Sequence, residues 1–273
     1  MPELPEVETQ VRDLQAVVGK KILAITSDTH KAWKPNFAAS RQLVGKKILS
    51  ITRRAKYLIF KFSGRVVLVA HFRMTGHFLI AKSATPLERF IRHSFALSSG
   101  IFLQFSDIRK FGTLTVCAES SHEKFCKLVD LGIEPLEKNF TLAALKQAFQ
   151  NKKGMLKALL LNQSIIAGIG NIYADEICFN AKFHPASRVE NLTAQDFVNL
   201  HKAIQQELKK GVKNRGTTIG EYVDTLGKHG KNQLSLRAYK QHGKPCSVCG
   251  GIMQKMKISQ RTTSFCAHCQ RKK

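Results

Sequence analysis

"CSVCGGIMQKMKISQRTTSFCAHC", residues 246–269, is the stretch on which the architecture turns. It holds two Cys-x-x-Cys knuckles, Cys246 with Cys249 and Cys266 with Cys269, and the run between them suits a β-hairpin. Each knuckle can grip one side of a tetrahedral Zn²⁺. Four thiolates leave no open coordination position, so one structural zinc ion is expected. A redox dithiol or an iron–sulfur centre is the other chemistry that such spacing serves. Lys255, Lys257 and Arg261 lie on the hairpin, and Arg271, Lys272 and Lys273 follow it. A basic ribbon of this kind can lie along a phosphate backbone, or its charges can simply solvate it. The remaining cysteines, Cys117, Cys126 and Cys178, sit in mixed apolar surroundings and read as buried thiols.

The basic ribbon belongs to a basic chain. Across 273 residues, 44 Lys and Arg face 19 Asp and Glu, a net charge of +25. That imbalance points to a polyanionic partner, nucleic acid before an anionic membrane. A membrane-surface role would need a basic amphipathic helix with a broad apolar face, and none is evident. A hydrophobic content of 43% is enough for a packed core. No apolar run approaches a membrane span of about 18 residues, and no leader is evident. The expectation is a soluble, cytoplasmic protein. Seven cysteines, four of them in the zinc pattern, make a poor disulfide framework.

Moving outward from the knuckles, residues 215–233 are rich in Gly and polar side chains and too long for a tight connection, which favours a functional or mobile loop. Before them the hydrophobic period is helical. In "LTAQDFVNLHKAIQQELKKG", Thr193 and Asp196 form a capping box, the apolar stripe is Phe197, Leu200, Ile204 and Leu208, and Gly211 closes the helix. "FTLAALKQAFQ", "MLKALLLNQ" and "NIYADEICFNA" are three further helices. The "AGIGN" turn before the last could present backbone N–H groups and Asn171 to a phosphate, or serve helix packing at small residues. "LGIEPLEKN", with Gly132 and Pro135, reads as a linker or hinge. N-terminal to it the signals are those of strands. "KKILAIT" and "KKILSIT" follow Gly19 and Gly45 as near copies, "YLIFKFS" alternates, "VVLVAHF" is a buried run, and "SFALSSGIFLQFSD" is a hairpin turning at Ser98-Ser99-Gly100. Together they predict a β-sandwich. The chain starts differently, since Val7, Val11, Leu14 and Val18 recur at helical spacing and predict a helix from Pro5 to Val18.

The motifs "MPELPEVET", "RRAKYL", "HFRMTGHF", "DIRKFG", "LGIEPL", "GIGNIYADE", "RGTTI" and "QRTTSFC" occur in this order over essentially the whole length. In them the chain closely resembles the bacterial formamidopyrimidine-DNA glycosylases of base-excision repair. The resemblance implies an α+β multidomain fold. An N-terminal β-sandwich with a catalytic N-terminal helix would span residues 1–131, a helix–two-turn–helix domain with a lesion-capping loop 132–236, and a zinc-ribbon finger 237–273. DNA would lie in a cleft between the halves. The implied partner is damaged double-stranded DNA. No obligate protein partner is implied, and a monomer is expected.

The same resemblance carries roles. Met1 is removed and the amine of Pro2 becomes the nucleophile, attacking C1′ to displace the base and form a Schiff base. A secondary amine yields a charged iminium, an electron sink for elimination of the 3′ and then the 5′ phosphate. Glu3 would shuttle protons for sugar-ring opening. Glu6 would support the terminus, or be no more than a favourable charge at a helix N-terminus. Lys56 would grip phosphate near the lesion, with His71, Asn171 and Arg261 as further phosphate contacts. Met74, Arg109 and Phe111 match the residues that fill the void left by an extruded base, although by pattern alone Met74 and Phe111 read as core. Arg215, Gly216, Thr217, Thr218 and Ile219 resemble the start of the loop that closes over that base. Phe72, Arg73 and Thr75 stand where Leu, Gly and Ser are commoner in the family, and Ile108 and Lys110 where Pro and Arg are; Arg73 could alter how Met74 enters the duplex. The expected activity is bifunctional, glycosylase and AP lyase, on 8-oxoguanine and formamidopyrimidines. The alternatives are the sister family that excises oxidised pyrimidines and a non-catalytic zinc protein that binds damage.

Overall fold

The computed structural model describes residues 1–29 and 31–273. They form two compact units, one of Met1–Val129 with Asn214–Gln233, the other of Asp130–Lys213 with Leu234–Lys273.

In the first unit, α1 (Leu4–Leu14) opens the chain and buries Leu4, Val7, Val11 and Leu14. The expected continuation to Val18 gives way to a 3-10 turn over Gln15–Val17. Val18 is extended, and Gly19 at φ +88° bends the chain toward the first strand. The strands are β1 (Ile22–Ser27), β2 (Trp33–Lys34), β3 (Ile48–Arg54), β4 (Tyr57–Phe62), β5 (Val66–His71), β6 (His77–Ala81), β7 (Ile91–Leu97), β8 (Phe102–Ser106) and β9 (Thr113–Ala118). They make a four-stranded sheet, β1-β7-β8-β6, and a five-stranded sheet, β2-β9-β5-β4-β3. Every pairing is antiparallel except β2 with β9. One core joins both sheets to the apolar stripe of α1, including Trp33, Phe60, Phe78, Phe95 and Phe105. The β7–β8 hairpin turns at Ser99 and Gly100, both with positive φ, as the sequence predicts.

The near copies after Gly19 and Gly45 acquire a structural meaning. β1 and β3 belong to different sheets, and the segments just before them cross. Gly19 N–H donates to Ile48 O (2.8 Å), Gly45 N–H to Ile22 O (2.7 Å), Ile22 N–H to Lys46 O (3.0 Å) and Ile48 N–H to Lys20 O (2.8 Å). Similar sequences thus make reciprocal contacts that tie one sheet to the other.

After β9 the first unit adds a single turn, α2 (His122–Phe125), and the second unit starts at Asp130. The second unit itself contains α3 (Leu142–Phe149), α4 (Leu156–Leu161), α5 (Asn171–Asn180), α6 (Ala194–Lys213), and the hairpin β10 (Gln254–Ile258) and β11 (Arg261–Phe265). The Thr193–Asp196 box forms as expected. Asp196 Oδ2 accepts from Thr193 N–H (2.9 Å), and Thr193 Oγ1 from Asp196 N–H (3.2 Å). Gly211 does not close α6, which runs on to Lys213. A Cβ at Gly211 would lie 2.5 Å from the hydroxyl of Tyr173, so its role is close packing of α5 on α6. The Gly132 break is not a free linker either. Gly132 N–H donates to Gln163 O (2.8 Å), Ile133 N–H to Ile165 O (3.1 Å), and a Cβ on Gly132 would meet Ile165 O at 2.2 Å.

Two groupings differ from the expected division at 131 and 236. Residues 214–233 pack with the sandwich instead of the helices, and the zinc hairpin packs with the helices as one unit. Buried polar side chains account for both. Glu6, Gln10 and Asp13 of α1 hold the 214–233 segment. Lys157 and Glu176 hold the segments around the hairpin.

Candidate active site and nucleic-acid interface

The N-terminal acids organise the first part of the site. Glu3 is the N-cap of α1 and Glu6 its third residue, and they form a reciprocal capping box in which Glu6 Oε2 accepts from Glu3 N–H at 2.8 Å. Both are buried, as is Pro2. The second Glu6 oxygen accepts from Thr217 N–H at 2.7 Å, a contact spanning 211 residues of sequence. Tyr222 OH donates to Glu6 O (3.2 Å). Gly216, at φ +84°, permits this approach, since a Cβ there would lie 2.9 Å from Glu6 Cγ. Glu6 therefore caps α1 and fastens the 216–217 backbone at once.

The rest of that segment is fastened by charge. Arg215 Nη2 donates to Asp13 Oδ2 (2.6 Å) and Nε to Asp224 Oδ2 (2.8 Å). Thr217 Oγ1 accepts from Asn232 (2.9 Å) and Thr218 Oγ1 donates to Tyr222 O (2.8 Å), whereas Ile219 is exposed. Asp13, Asp224 and Tyr222 were invisible as site residues because each becomes meaningful only through a distant partner.

Lys56, on the β3–β4 connection, and His71, at the end of β5, are both buried. Arg73 N–H donates to His71 Nδ1 (3.0 Å), which leaves the imidazole proton on Nε2. Burial, then the neighbouring charges of Arg73 and Lys56, pushes the His71 pKa down to about 3. His71 is thus a neutral donor, with the Tyr57 ring edge-on at 4.5 Å.

Met74 and Phe111 are 41% and 47% exposed, against the core reading of their pattern, because both sit on loops beyond strand ends. Arg109 is also exposed, its guanidinium 4.9 Å from the Phe111 ring centre. Asp107 joins the two loops. Its Oδ1 accepts from Thr75 Oγ1 (2.5 Å) and its Oδ2 from Gly112 N–H (2.7 Å), while Thr75 Oγ1 accepts from Arg109 N–H (3.1 Å). The Asp in "DIRKFG" was therefore in view within a quoted motif, but its work is the spacing of three exposed neighbours. Arg73 has φ +53° and Lys110 φ +56°, and at Arg73 that backbone explains why Gly is the commoner residue.

In the second unit, Asn171 starts α5. Its Nδ2 donates to Thr262 O (3.3 Å), and its buried Oδ1 has no partner among the described residues. Gly168 N–H in "AGIGN" is taken by Gln163 Oε1 (2.9 Å), so that amide is not offered to a phosphate. Arg261 is exposed and directly follows the turn at Ser259 and Gln260, both with positive φ. Beneath it Lys157, fully buried, contacts Asp175 Oδ1 (2.6 Å) and donates to Thr263 Oγ1 (2.7 Å). Glu176 accepts from Arg237, Ala238 and Tyr239 N–H at 2.8–2.9 Å. These buried charges carry no periodic signal that would have singled them out.

The four cysteine sulfurs of Cys246, Cys249, Cys266 and Cys269 lie within 4.8 Å of one another, with Cys249–Cys266 at 3.5 Å and Cys246–Cys269 at 3.9 Å. Tetrahedral zinc with bonds of about 2.3 Å sets its sulfurs about 3.8 Å apart, so the cluster fits one structural ion.

Comparison with known proteins gives the same frame. Residues 1–114 match the family model for the formamidopyrimidine-DNA glycosylase N-terminal domain, 131–222 that for its H2TH domain, and 243–271 a zinc finger found in FPG and IleRS. The chain is 38% identical to formamidopyrimidine-DNA glycosylases of Pelotomaculum thermopropionicum and Streptococcus pyogenes, with 100% of each chain covered. A Lactococcus lactis FPG variant in complex with Fapy-dG-containing DNA superposes with a TM-score of 0.91 at 34% identity, covering 99% of this chain and 100% of that one. The Lactococcus lactis enzyme bound to abasic-site DNA gives a TM-score of 0.90 with the same identity and coverage. Three consecutive domain matches and full-length relatives above 30% identity place this chain in the formamidopyrimidine-DNA glycosylase family.

Proposed function

We propose that the chain is a DNA glycosylase and AP lyase of base-excision repair that removes oxidised purines, 8-oxoguanine and formamidopyrimidines, from duplex DNA. The relatives' names and DNA complexes support glycosylase action on damaged DNA. One observation carries the placement of the chemistry: a buried Pro2 heads a helix whose acids Glu3 and Glu6 cap each other, with Glu6 also holding the 216–217 backbone.

In this reading Met1 is removed and the Pro2 nitrogen becomes a free secondary amine. Its lone pair attacks C1′ and the bond to the damaged base breaks; the C1′–O4′ bond then opens to the iminium, which lets a C2′ proton leave with the 3′ phosphate and then a C4′ proton with the 5′ phosphate. Glu3, held beside Pro2 by its cap, moves the proton needed to open the sugar ring. Lys56 and the Nε2–H of His71 bind phosphate near the lesion, and a His71 kept neutral can do so only as a hydrogen-bond donor. Met74, Arg109 and Phe111 present an apolar wedge and a guanidinium to the emptied base-pair space. The Arg215–Ile219 stretch covers the extruded base. Asn171 and Arg261 bind phosphate from the helical unit. Cys246, Cys249, Cys266 and Cys269 would hold zinc, which cross-links the hairpin that carries Arg261 and takes no part in bond breaking. Among the described residues no helix is long and apolar enough to cross a membrane. A cytoplasmic monomer is part of the proposal.

Borohydride reduction on lesion duplexes tests the reading. Chain with Met1 removed should become covalently trapped on 8-oxoguanine DNA, and chain retaining Met1 should not. Binding without trapping would make this a damage-binding protein, and faster cleavage of thymine-glycol than of 8-oxoguanine duplexes would move it to the oxidised-pyrimidine side.

A further inference from the structure

The reciprocal crossing before β1 and β3 gathers four lysines that have no part in the chemistry described above. Its symmetry extends to the two neighbouring hairpins. Lys21 N–H donates to Ser98 Oγ (2.9 Å) and Ser98 N–H to Lys21 O (2.8 Å), while Lys47 N–H donates to Ser63 Oγ (3.0 Å) and Ser63 N–H to Lys47 O (2.9 Å). Lys21 and Lys47 also bridge each other directly. The pairs Lys20-Lys21 and Lys46-Lys47 therefore meet at one end of the sandwich. The strands fix which end. β4 starts at Tyr57, next to Lys56, and ends at Phe62, and β5 returns from Val66 to His71. The turn at Ser63–Arg65, and the lysines with it, thus lie away from Lys56 and His71 by the length of β5, about 17 Å at about 3.4 Å per residue. Lys21 and Lys47 are exposed, and Lys20 and Lys46 half-exposed. Lys46 reaches over the β4–β5 turn, since a Cβ on Gly64 would lie 3.0 Å from its Nζ. Exposed Arg65 follows Gly64 and adds a fifth cation.

No carboxylate answers this charge. The sequence holds no Asp or Glu over residues 14–27, 29–87 or 89–106. Glu119, whose N–H donates to Arg65 O (2.9 Å), gives its carboxylate to Lys61 (2.9 Å). Among the described residues none of the four lysines forms an ion pair. Like charges held together without a counter-charge repel one another, and a polyanion laid across them relieves the repulsion. We propose that this end of the sandwich is a second DNA-binding surface, which holds the phosphate backbone of an undamaged duplex while the Pro2 end holds another segment. Lysines act as point charges without a fork to read bases, so the contact is to backbone and independent of sequence. One chain then bridges two DNA segments and passes between them without first going free. Leu23, Val44 and Leu49 are exposed near the lysines in sequence, but separate aliphatic side chains are not the broad apolar face that an anionic membrane surface requires.

The test uses full-length, zinc-loaded protein saturated with a short duplex that carries a tetrahydrofuran abasic analogue and one fluorophore. An undamaged duplex with a second fluorophore is titrated in, and energy transfer between the two reports the bridged complex. Bridging should weaken about a hundredfold between about 50 and 200 mM salt, as about four neutralised phosphates require. The variant K20Q/K21Q/K46Q/K47Q should bridge about tenfold or more weakly while binding the first duplex as the unaltered protein does. Lysine acetylation of the unaltered protein gives the location without relying on the variant's folding. The undamaged duplex should protect Lys20, Lys21, Lys46 and Lys47 beyond any protection given by the first duplex. No energy transfer at low salt, equal bridging by the variant, or no added protection at these lysines would overturn the proposal. Stronger protection by phosphatidylglycerol vesicles than by duplex would also overturn it and make the surface a membrane site. Failure of borohydride trapping at Pro2 leaves this result untouched, because the assay reads binding alone.

Discussion

Replacing Glu6 with alanine removes the acceptor of two buried backbone donors at once, Glu3 N–H at 2.8 Å and Thr217 N–H at 2.7 Å. Each N–H left without a partner costs about 1–3 kcal/mol, so the pair amounts to about 2–6 kcal/mol. Relief from burying the carboxylate itself offsets part of this, and a loss of about 3 kcal/mol is the working value. For a unit of this size that corresponds to a fall in melting temperature of about 6–12 °C. Glu6→Gln keeps one carbonyl oxygen but turns an NH₂ toward the other donor, and should lose about half as much. Urea unfolding gives the energy. Limited proteolysis gives the location, since Glu6→Ala should open the 214–233 segment to cleavage before the sandwich unfolds. A Glu6→Ala protein within about 0.5 kcal/mol of wild type, with an unchanged cleavage pattern, would refute the account of Glu6 as the fastener of this segment.

Stripping zinc with a chelator should abolish the β10–β11 hairpin signal and weaken lesion-DNA binding more than Arg261→Ala does, because the metal holds the whole ribbon; equal affinity with and without metal would contradict this. Lys157→Met leaves Asp175, which burial already pushes up to about 7, without its cation, and should cost about 3–5 kcal/mol in thermal or urea unfolding, largely regained when Asp175→Leu is added. His71 is held down to about 3 from an ordinary 6.5, so the native state binds fewer protons than the unfolded chain between those values. Its contribution to stability is therefore present above pH 6.5 and declines as pH falls toward 3. NMR should show no His71 titration down to pH 5, and Arg73→Gly, by removing a cationic neighbour, should move the midpoint upward; a midpoint near 6.5 in the unaltered protein would rule out the neutral-donor role.

The zinc cluster was legible because its spacing is local: two knuckles flanking a hairpin bring four sulfurs together whatever the rest of the chain does. Strands, the α6 capping box and the buried face of α1 were legible for a similar reason, since periodicity and capping act over a turn or two. Family motifs drew attention to Pro2, Glu3, Lys56, Met74, Arg109 and Phe111, none of which composition or spacing would have singled out. What the tertiary structure alone decided was partnership. Residues 214–233 follow a helix in sequence yet belong with the sandwich, because Glu6, Gln10 and Asp13 of α1 satisfy their backbone and charges. Gly211 looked like a helix end and is a contact surface for Tyr173. Met74 and Phe111 looked like core and are exposed, since Asp107 and Thr75 hold their loops out beyond the strands. A hydrogen bond across 211 residues leaves no periodic mark on either partner, so only the folded chain can show it.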